Sequence, residues 1–162
     1  MDELLDIVDS TDVVVGTALK SVAQARNLRR RIVHVLLFNS SGDLALQLRG
    51  PACKFLPGYW CTSIGGHVMS GETYVAAALR ESLEELRITP DLIFVGKKLF
   101  VSEQSGLELF ISVFKSNCFG EFKLEEGKVV AVEYFSIQKI KEMINKGEKF
   151  HPELVFILKN FF

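Results

Sequence analysis

The sequence has few cysteines, no excess of charge of either sign and no long apolar run. The three cysteines, Cys53, Cys61 and Cys118, are odd in number and form no CxxC pair. This pattern argues against a disulfide framework and against a cysteine-based zinc site, and a reducing cytoplasm is the simplest setting for it. The formal net charge is −1, so we expect neither nucleic acid nor an anionic membrane as a partner.

Targeting and membrane-spanning segments are not indicated either. The N-terminal stretch MDELLDIVDS is acidic and lacks the apolar core of a signal peptide. No apolar run approaches the roughly 20 residues that a membrane-spanning helix needs. The chain has 162 residues, of which 48% are hydrophobic and 24% charged, which is typical of one globular domain. We therefore expect a single domain over residues 1–162.

The order of the apolar runs predicts a mixed sheet with helices packed against it, which is an α/β domain. An N-terminal hairpin and helix, over residues 1–30 or so, precede the core. The predicted strands are Leu4–Val8, Val13–Gly16, Ile32–Phe38, Leu44–Leu48, Tyr59–Ile64, Leu92–Val101, Leu107–Lys115 and Val129–Phe135. The predicted helices run from a cap at Thr17 to Arg26, from Glu72 to Leu86, from a cap at Ser136 to near Gly147, and from Pro152 to Phe161.

One stretch, from Gly65 to Ile88, carries most of the chemistry: GGHVMSGETYVAAALRESLEELRI. A rotation of about 100° per residue puts the leucines of this helix on one side and three glutamates on the other. The leucines are Leu79, Leu83 and Leu86, and the glutamates are Glu81, Glu84 and Glu85. We expect the leucines to be buried against the sheet and the glutamates to face outward, with Ser82 at the edge of the apolar stripe.

Acidic clusters on a helix are usually solvated surface, but two features of this one favour a bound cation. No lysine follows any of the three glutamates at i+4, so neutralising pairs are missing. The glycine pair Gly65–Gly66 makes a tight entry to the helix and can bring backbone carbonyl oxygens near the carboxylates. Hard oxygen ligands of this kind suit Mg²⁺, which is usually completed by waters and substrate phosphates.

The stretch resembles the signature of the Nudix hydrolase superfamily, G-x5-E-x7-R-E-U-x-E-E-x-G-U, in which U is bulky and apolar. The residues that match at this spacing are Gly66, Glu72, Arg80, Glu81, Glu84, Glu85 and Ile88. The sequence departs from the signature at Ser82, where U is expected, and at Arg87, where the last glycine is expected. We expect the first departure to remove packing beneath the helix and the second to change how the helix ends.

This resemblance implies a Nudix fold, in which a mixed β-sheet is sandwiched between helices (α/β/α), and a pyrophosphohydrolase activity. The implied substrate is a small-molecule diphosphate, a nucleoside diphosphate linked to another moiety, and the implied cofactor is Mg²⁺ (or Mn²⁺). By the family pattern, the metal ligands are Glu81, Glu84, Glu85 and a backbone carbonyl that maps to Gly65. Glu72 and Arg80 orient the loop and the carboxylates by ion pairing. The general base is one of the metal-binding glutamates or a residue of a later loop, where Glu125 and Glu126 are candidates.

Other residues are candidates for contact with the substrate. His67, beside the glycine pair, could donate a hydrogen bond to a phosphate. Arg49 could meet substrate phosphates, although a plain surface charge is the simpler interpretation, and Glu126 is a further candidate on the substrate side. His34, inside an apolar strand, is expected to be a hydrogen-bonded structural histidine. Seven phenylalanines are expected in the core: Phe38, Phe55, Phe94, Phe100, Phe110, Phe114 and Phe135.

The segment Pro57–His67 also resembles that of isopentenyl-diphosphate isomerase, a Nudix relative that uses a cysteine and a metal held by histidines and glutamates. His67 matches one metal-binding histidine, but Gly65 stands at the position of the cysteine. The other two histidine positions map near Gln24 and Arg30. The resemblance therefore places the chain in the isomerase-like group of Nudix hydrolases, with hydrolysis preferred over isomerisation.

Two further alternatives stay open at this stage. The fold could serve as a non-catalytic module that senses a nucleotide, although a pure binder has no need of three facing carboxylates. The apolar end Phe161–Phe162 could dock internally or onto a partner chain in a homodimer.

Overall fold

The computed structural model describes residues 1–117 and 122–162 as one nine-stranded sheet with four helices. The strands are β1 (Leu4–Val8), β2 (Val14–Leu19), β3 (Arg30–Phe38), β4 (Leu44–Arg49), β5 (Trp60–Cys61), β6 (Ile64–His67), β7 (Ile93–Val101), β8 (Glu108–Asn117) and β9 (Val129–Phe135). The helices are α1 (Lys20–Ala25), α2 (Tyr74–Leu86), α3 (Ile137–Asn145) and α4 (Pro152–Phe161). Cys118 lies outside the described residues, and the other two cysteines are free thiols.

Strand β3 organises the sheet because it has neighbours on both edges. It runs parallel to β8, with Ile32 opposite Ile111, and antiparallel to β6, with Val33 opposite Gly66. The hairpin β1–β2 joins at the start of β3, and β4 follows β3 and carries β5 and β9. The prediction of a mixed sheet is confirmed.

Alternate residues of β3 enter two separate cores, one on each face of the sheet. Ile32 and Leu36 pack in a cluster that includes the buried side chains of α3 and α4. Val33 and Val35 pack in a second cluster with the alanines of α2. Since helices cover both faces, the predicted α/β/α arrangement is confirmed.

Helix α1 begins later than the sequence predicts. Thr17 is not a helix cap but a residue of β2, where it pairs with Asp6 of β1. The pairing of the hairpin continues to Leu19, which precedes the helix without a side-chain cap. The prediction of a helix from Thr17 to Arg26 is wrong because the strand register extends through the threonine.

Helix α2 turns a different face to the sheet from the one predicted. Glu81 is only 8% exposed and Ser82 is fully buried, whereas Leu83 is 52% exposed. The strand beneath the helix is the glycine strand β6, and a Cβ built at Gly66 would lie 2.1 Å from Cδ of Glu81. Helix and strand approach so closely that small side chains, such as Ala77 and Ala78, fit between them. The expected outward orientation holds for Glu84 but is wrong for Glu81.

Both departures from the signature are accommodated within α2. The hydroxyl of Ser82 donates to the carbonyl of Ala78 at 2.7 Å, so a buried polar side chain is satisfied within the helix. Arg87 adopts φ 58° and ψ 37°, the left-handed conformation usually taken by glycine, and its N–H donates to the Ser82 carbonyl. The expectation that Arg87 would change the helix end is therefore wrong. The helix begins after Thr73, which caps it, so Glu72 lies in the preceding loop.

The C-terminal phenylalanines dock on the domain itself. The ring of Phe162 lies 6.0 Å from that of Phe38, and Phe161 packs against Gly96, where a Cβ would lie 2.5 Å from the ring. Phe55 and Phe94, by contrast, are each 60% exposed and do not join the core as expected. Within the described residues, none of the helices has the length and apolar character needed to cross a membrane.

Candidate active site

An ion-pair cluster centred on Arg80 joins the loop before α2 to the helix. The guanidinium donates to both carboxylate oxygens of Glu72, at 2.9 and 3.0 Å, and to Oε1 of Glu81 at 2.7 Å. It also donates to the backbone carbonyl of His67 at 2.8 Å. Burial opposes the ionisation of Glu72, yet the hydrogen bonds from Arg80 and from the N–H of Met69 lower its pKa. Arg80 therefore holds the loop, the strand and one glutamate in a single arrangement.

Glu85 is partly buried, on the turn of α2 that follows Glu81. Burial raises its pKa to about 8, and the negative charge of Glu81 adds to the shift. Its Oε2 accepts hydrogen bonds from the side-chain amide of Gln47 at 3.0 Å and from the N–H of Gly65 at 3.4 Å. Burial raises the pKa of Glu81 as well, although Arg80 opposes the shift. The donors to Glu85 are thus uncharged, and Arg80 is the cation that pairs with Glu81.

Gln47 belongs to this site and was missed in the sequence. It is buried in β4, and its amide also donates to the Ser63 carbonyl. The available signal was its position, since Gln47 is the one polar residue in the apolar run LALQL of β4.

Glu84 stands apart from the other two glutamates. Its side chain is 54% exposed, and it contacts Arg80 at 3.5 Å. In the part of the chain that the structure describes, no three His, Cys, Asp or Glu side chains are grouped closely enough to hold a metal by themselves. The donor chemistry still fits Mg²⁺, because Glu81 and Glu85 are carboxylates with raised pKa and Glu85 adjoins the backbone of Gly65.

Comparison with known proteins identifies the family of this chain. The model of the NUDIX domain matches residues 28–156. The chain belongs to the Nudix family. It is 38% identical over 115 residues to a Nudix hydrolase from Deinococcus radiodurans, a match that covers 70% of this chain and 67% of that protein.

A solved structure and an isopentenyl-diphosphate isomerase are also similar to this chain. The crystal structure of DR0079 from Deinococcus radiodurans has a TM-score of 0.87 at 28% identity and covers 99% of both chains. An isopentenyl-diphosphate Delta-isomerase from Streptomyces coelicolor is 38% identical over 91 residues, which cover 56% of this chain and 46% of that enzyme. These matches are consistent with the isomerase-like group, and the expected enzyme class, a Nudix pyrophosphohydrolase, is confirmed.

Arg49, Glu125 and Glu126 are further candidate residues of this Nudix protein. Nε of Arg49 donates to the Phe55 carbonyl at 3.1 Å. The positive charge of Arg49 and the negative charge of Glu85 both act on the thiol of Cys61. The charge of Glu125 acts on Glu85, and Glu125 also pairs with Lys128 at 2.6 Å. Glu126 is exposed, so Glu125 is the better placed of the two loop glutamates.

His67 faces the other side of the sheet from Glu81. Side chains alternate along β6, and Gly66 is the residue that faces α2. His67 Nε2 instead accepts a hydrogen bond from Nε of Arg30 at 3.0 Å. Burial, together with the charges of Lys20 and Arg30, lowers the pKa of His67 to about 3. The ring is therefore neutral and already engaged.

His34 fills the space that a side chain at Gly65 would need. A Cβ at Gly65 would lie 2.8 Å from Nδ1 of His34. The imidazole is buried and bonded on both sides, to Oγ1 of Thr62 at 2.6 Å and to Oε2 of Glu153 at 3.0 Å. The prediction of a satisfied structural histidine is confirmed. The position of the isomerase cysteine thus has neither the thiol nor the room for one.

Proposed function

We propose that this Nudix protein hydrolyses the diphosphate linkage of a nucleoside diphosphate joined to another moiety, in a reaction that depends on Mg²⁺ (or Mn²⁺). The observation that carries the proposal is the pair Glu81 and Glu85. Both carboxyls have a raised pKa, and Glu85 has an amide and a backbone N–H as hydrogen-bond donors. A divalent cation supplies the charge that such a pair lacks.

The residues that would hold the metal are Glu81, Glu85 and the backbone carbonyl of Gly65, with Glu84 joining from the solvent side. Glu84 is free to do so because its contact with Arg80 is long and its side chain is exposed. When bound, a divalent ion neutralises the charge of a diphosphate and lowers the pKa of a coordinated water.

The other residues act by orientation and proton transfer. Arg80 fixes the carboxylate of Glu81 through one nitrogen while it clamps Glu72 with the others. Glu125 is available to accept the proton of the attacking water, since its charge reaches Glu85. Arg49 would meet a substrate phosphate beyond Cys61.

Phosphate release from a panel of diphosphates tests the proposal. The panel contains dinucleoside polyphosphates, nucleotide sugars, ADP-ribose, dinucleotide coenzymes and coenzyme A, each with Mg²⁺ or Mn²⁺. We expect turnover of at least one member by the wild type and by Glu142→Gln, a control on the exposed side of α3, and none by Glu85→Gln. Mg²⁺ should also raise the Tm of the wild type and not that of Glu85→Gln.

Two outcomes would replace this function by another. Nucleotide binding without turnover of any member would favour the sensing module. Conversion of isopentenyl diphosphate to its isomer would favour the isomerase, although the absence of a thiol at Gly65 and the ring of His34 argue against it.

A further inference from the structure

The N-terminal hairpin β1–β2 lies outside the matched family domain, which starts at residue 28. Most of β2 is exposed, so this strand contributes little to either core. Two aspartates of the hairpin are nevertheless buried. Asp6 is 7% exposed, and the side chain of Asp12 is similarly enclosed. Buried aspartates need partners, and both find them at the entrance to helix α2.

Asp6 holds the loop that precedes α2. Its Oδ1 accepts from the hydroxyl of Ser70 at 2.7 Å, and its Oδ2 accepts from the N–H of Gly71 at 3.1 Å. The backbone adds two contacts, since the N–H of Ser70 donates to the Leu4 carbonyl at 2.8 Å and Leu5 forms a bridge with Met69. Residues 69–71 are therefore tied to β1 by side chain and main chain together.

The loop that Asp6 holds continues directly into the ion-pair cluster. The N–H of Met69 donates to Oε2 of Glu72 at 3.0 Å. Glu72 receives two hydrogen bonds from Arg80, and Arg80 in turn donates to Glu81. A shift of the loop would move Glu72 and release Arg80, so the position of the Glu81 carboxylate depends on the hairpin.

Asp12 makes a second attachment, to the first turn of α2. Its Oδ2 accepts from the hydroxyl of Tyr74 at 2.9 Å, and its Oδ1 accepts from Nε of Arg31 at 2.6 Å. Lys97 pairs with the same carboxylate. Asp12 has φ 66°, a left-handed conformation that a non-glycine residue rarely adopts. These contacts maintain that conformation and anchor the tip of the hairpin on the helix.

We propose that the hairpin is a brace for the metal-binding helix and that Asp6 is a positioning residue for hydrolysis. The inference rests on the proposed function, because it assigns Asp6 to the geometry of Glu81. Asp6 contacts neither substrate nor metal. Its effect passes through residues 69–72 and Arg80 to the carboxylate.

The kinetic test compares Asp6→Ala with Asp9→Ala. Asp9 is the matched control because its side chain bonds only within the hairpin turn, to Thr11 and Val13, so its loss weakens the hairpin without touching the loop. We expect Asp6→Ala to lower kcat by about 10²-fold, as a small misplacement of a catalytic group does, with KM little changed and more Mn²⁺ needed for half-maximal activity. Asp9→Ala should keep the wild-type kcat.

Conservative variants separate positioning from simple destabilisation. Asp6→Asn keeps one acceptor for Ser70 and should recover part of the lost kcat. Ser70→Ala should lower kcat in the wild type and have little further effect in Asp6→Ala, since the two side chains act as one pair. If Asp6→Ala does not fold, Asp6→Asn and Ser70→Ala carry the test. If Asp6→Ala and Asp9→Ala lose the same stability and have the same kcat, the proposal that the hairpin is a brace is overturned.

A measurement without turnover distinguishes failure of the brace from failure of the proposed function. Amide hydrogen exchange at residues 69–76 should accelerate in Asp6→Ala and not in Asp9→Ala. If no substrate of the panel is hydrolysed but this difference is seen, the proposed function fails and the brace stands. If turnover is normal and exchange at residues 69–76 is unchanged in Asp6→Ala, the brace fails and the function stands.

Discussion

Two largely enclosed glutamates of this protein are shifted in opposite directions. Burial raises the pKa of Glu85 in α2 to about 8. Burial also opposes the ionisation of Glu153 in α4, yet a hydrogen bond from His34 and the charges of His151 and His34 lower its pKa to about 2. The two side chains have the same chemistry and comparable shielding, so the difference comes from their neighbours.

The neighbours of each glutamate indicate what it does. Glu85 adjoins a second carboxylate, Glu81, and its hydrogen-bond donors are uncharged. Glu153 lies 3.0 Å from His34 and 3.8 Å from His151 and ties α4 to β3. A carboxylate kept beside like charge fits the proposed cation site, whereas a carboxylate kept beside imidazoles already has its partners within the fold.

The largest expected effect is that of Glu85→Gln, which removes the shifted carboxyl. We expect a loss of turnover on the order of 10³-fold or more, to below detection, because the proposed metal site would lose a charged ligand. Since the folded pKa of Glu85 lies above its ordinary 4.5, the ionised group weakens the fold as pH rises from 4.5 towards 8. The variant should therefore be more stable than the wild type at pH 8 in urea unfolding. If Glu85→Gln had wild-type activity, or were less stable than the wild type at pH 8, the contrast drawn between Glu85 and Glu153 would be wrong.

The adjacent glycines of β6 allow a second test, because Gly66 faces Glu81 and Gly65 faces His34. A Cβ at Gly66 would displace the carboxylate of Glu81, the flexible end of a side chain. Gly66→Ala should therefore cost about 10²-fold in kcat with a small change in stability. Gly65→Ala meets the ring of His34, which is held on both sides, and should cost about 2 kcal/mol of unfolding free energy. Kinetics and urea unfolding of both variants check the ranking, which a larger destabilisation by Gly66→Ala would reverse.

Removal of the Glu153 carboxylate should lower the stability of the fold and leave turnover unchanged. Glu153→Gln leaves His34 and His151 without their charged partner, and we expect a loss of about 1–3 kcal/mol in unfolding free energy. Its kcat should match that of the wild type at temperatures where both are folded. A fall in kcat as large as that of Glu85→Gln would show that α4 takes part in catalysis.

The smallest expected effect is a loss of stability in mild acid. Burial lowers the folded pKa of His151 below its usual 6.5, so the unfolded chain takes up the proton first and stability falls as pH drops below 6.5. The low folded pKa of Glu153 adds a further loss as pH drops below 4.5. We expect a decrease on the order of 1 kcal/mol between pH 6.5 and 5 in urea unfolding. His151→Gln should flatten this segment of the profile, and an unchanged slope would contradict the assignment.

Much of the fold could be predicted because local patterns carry it. The apolar, β-branched run of β3, the cap at Ser136 and the proline that opens α4 are properties of short segments, and the structure has all three elements. The glutamate spacing of α2 and the glycine pair before it could also be recognised in the sequence. The start of α1 was not, because the register of β1 with β2 decides where Thr17 belongs.

Sequence alone predicted most of the elements, the family signature and the candidate metal ligands, since these depend on residue type and spacing along one chain segment. Only the tertiary structure decided which face of α2 lies against the sheet and that Gln47 and Arg80 contact the glutamates. The physical reason is that helical periodicity orders side chains around their own axis but says nothing of what packs opposite. The opposing pKa values of Glu85 and Glu153 arise from the same cause, because their charged neighbours lie on other elements of the fold.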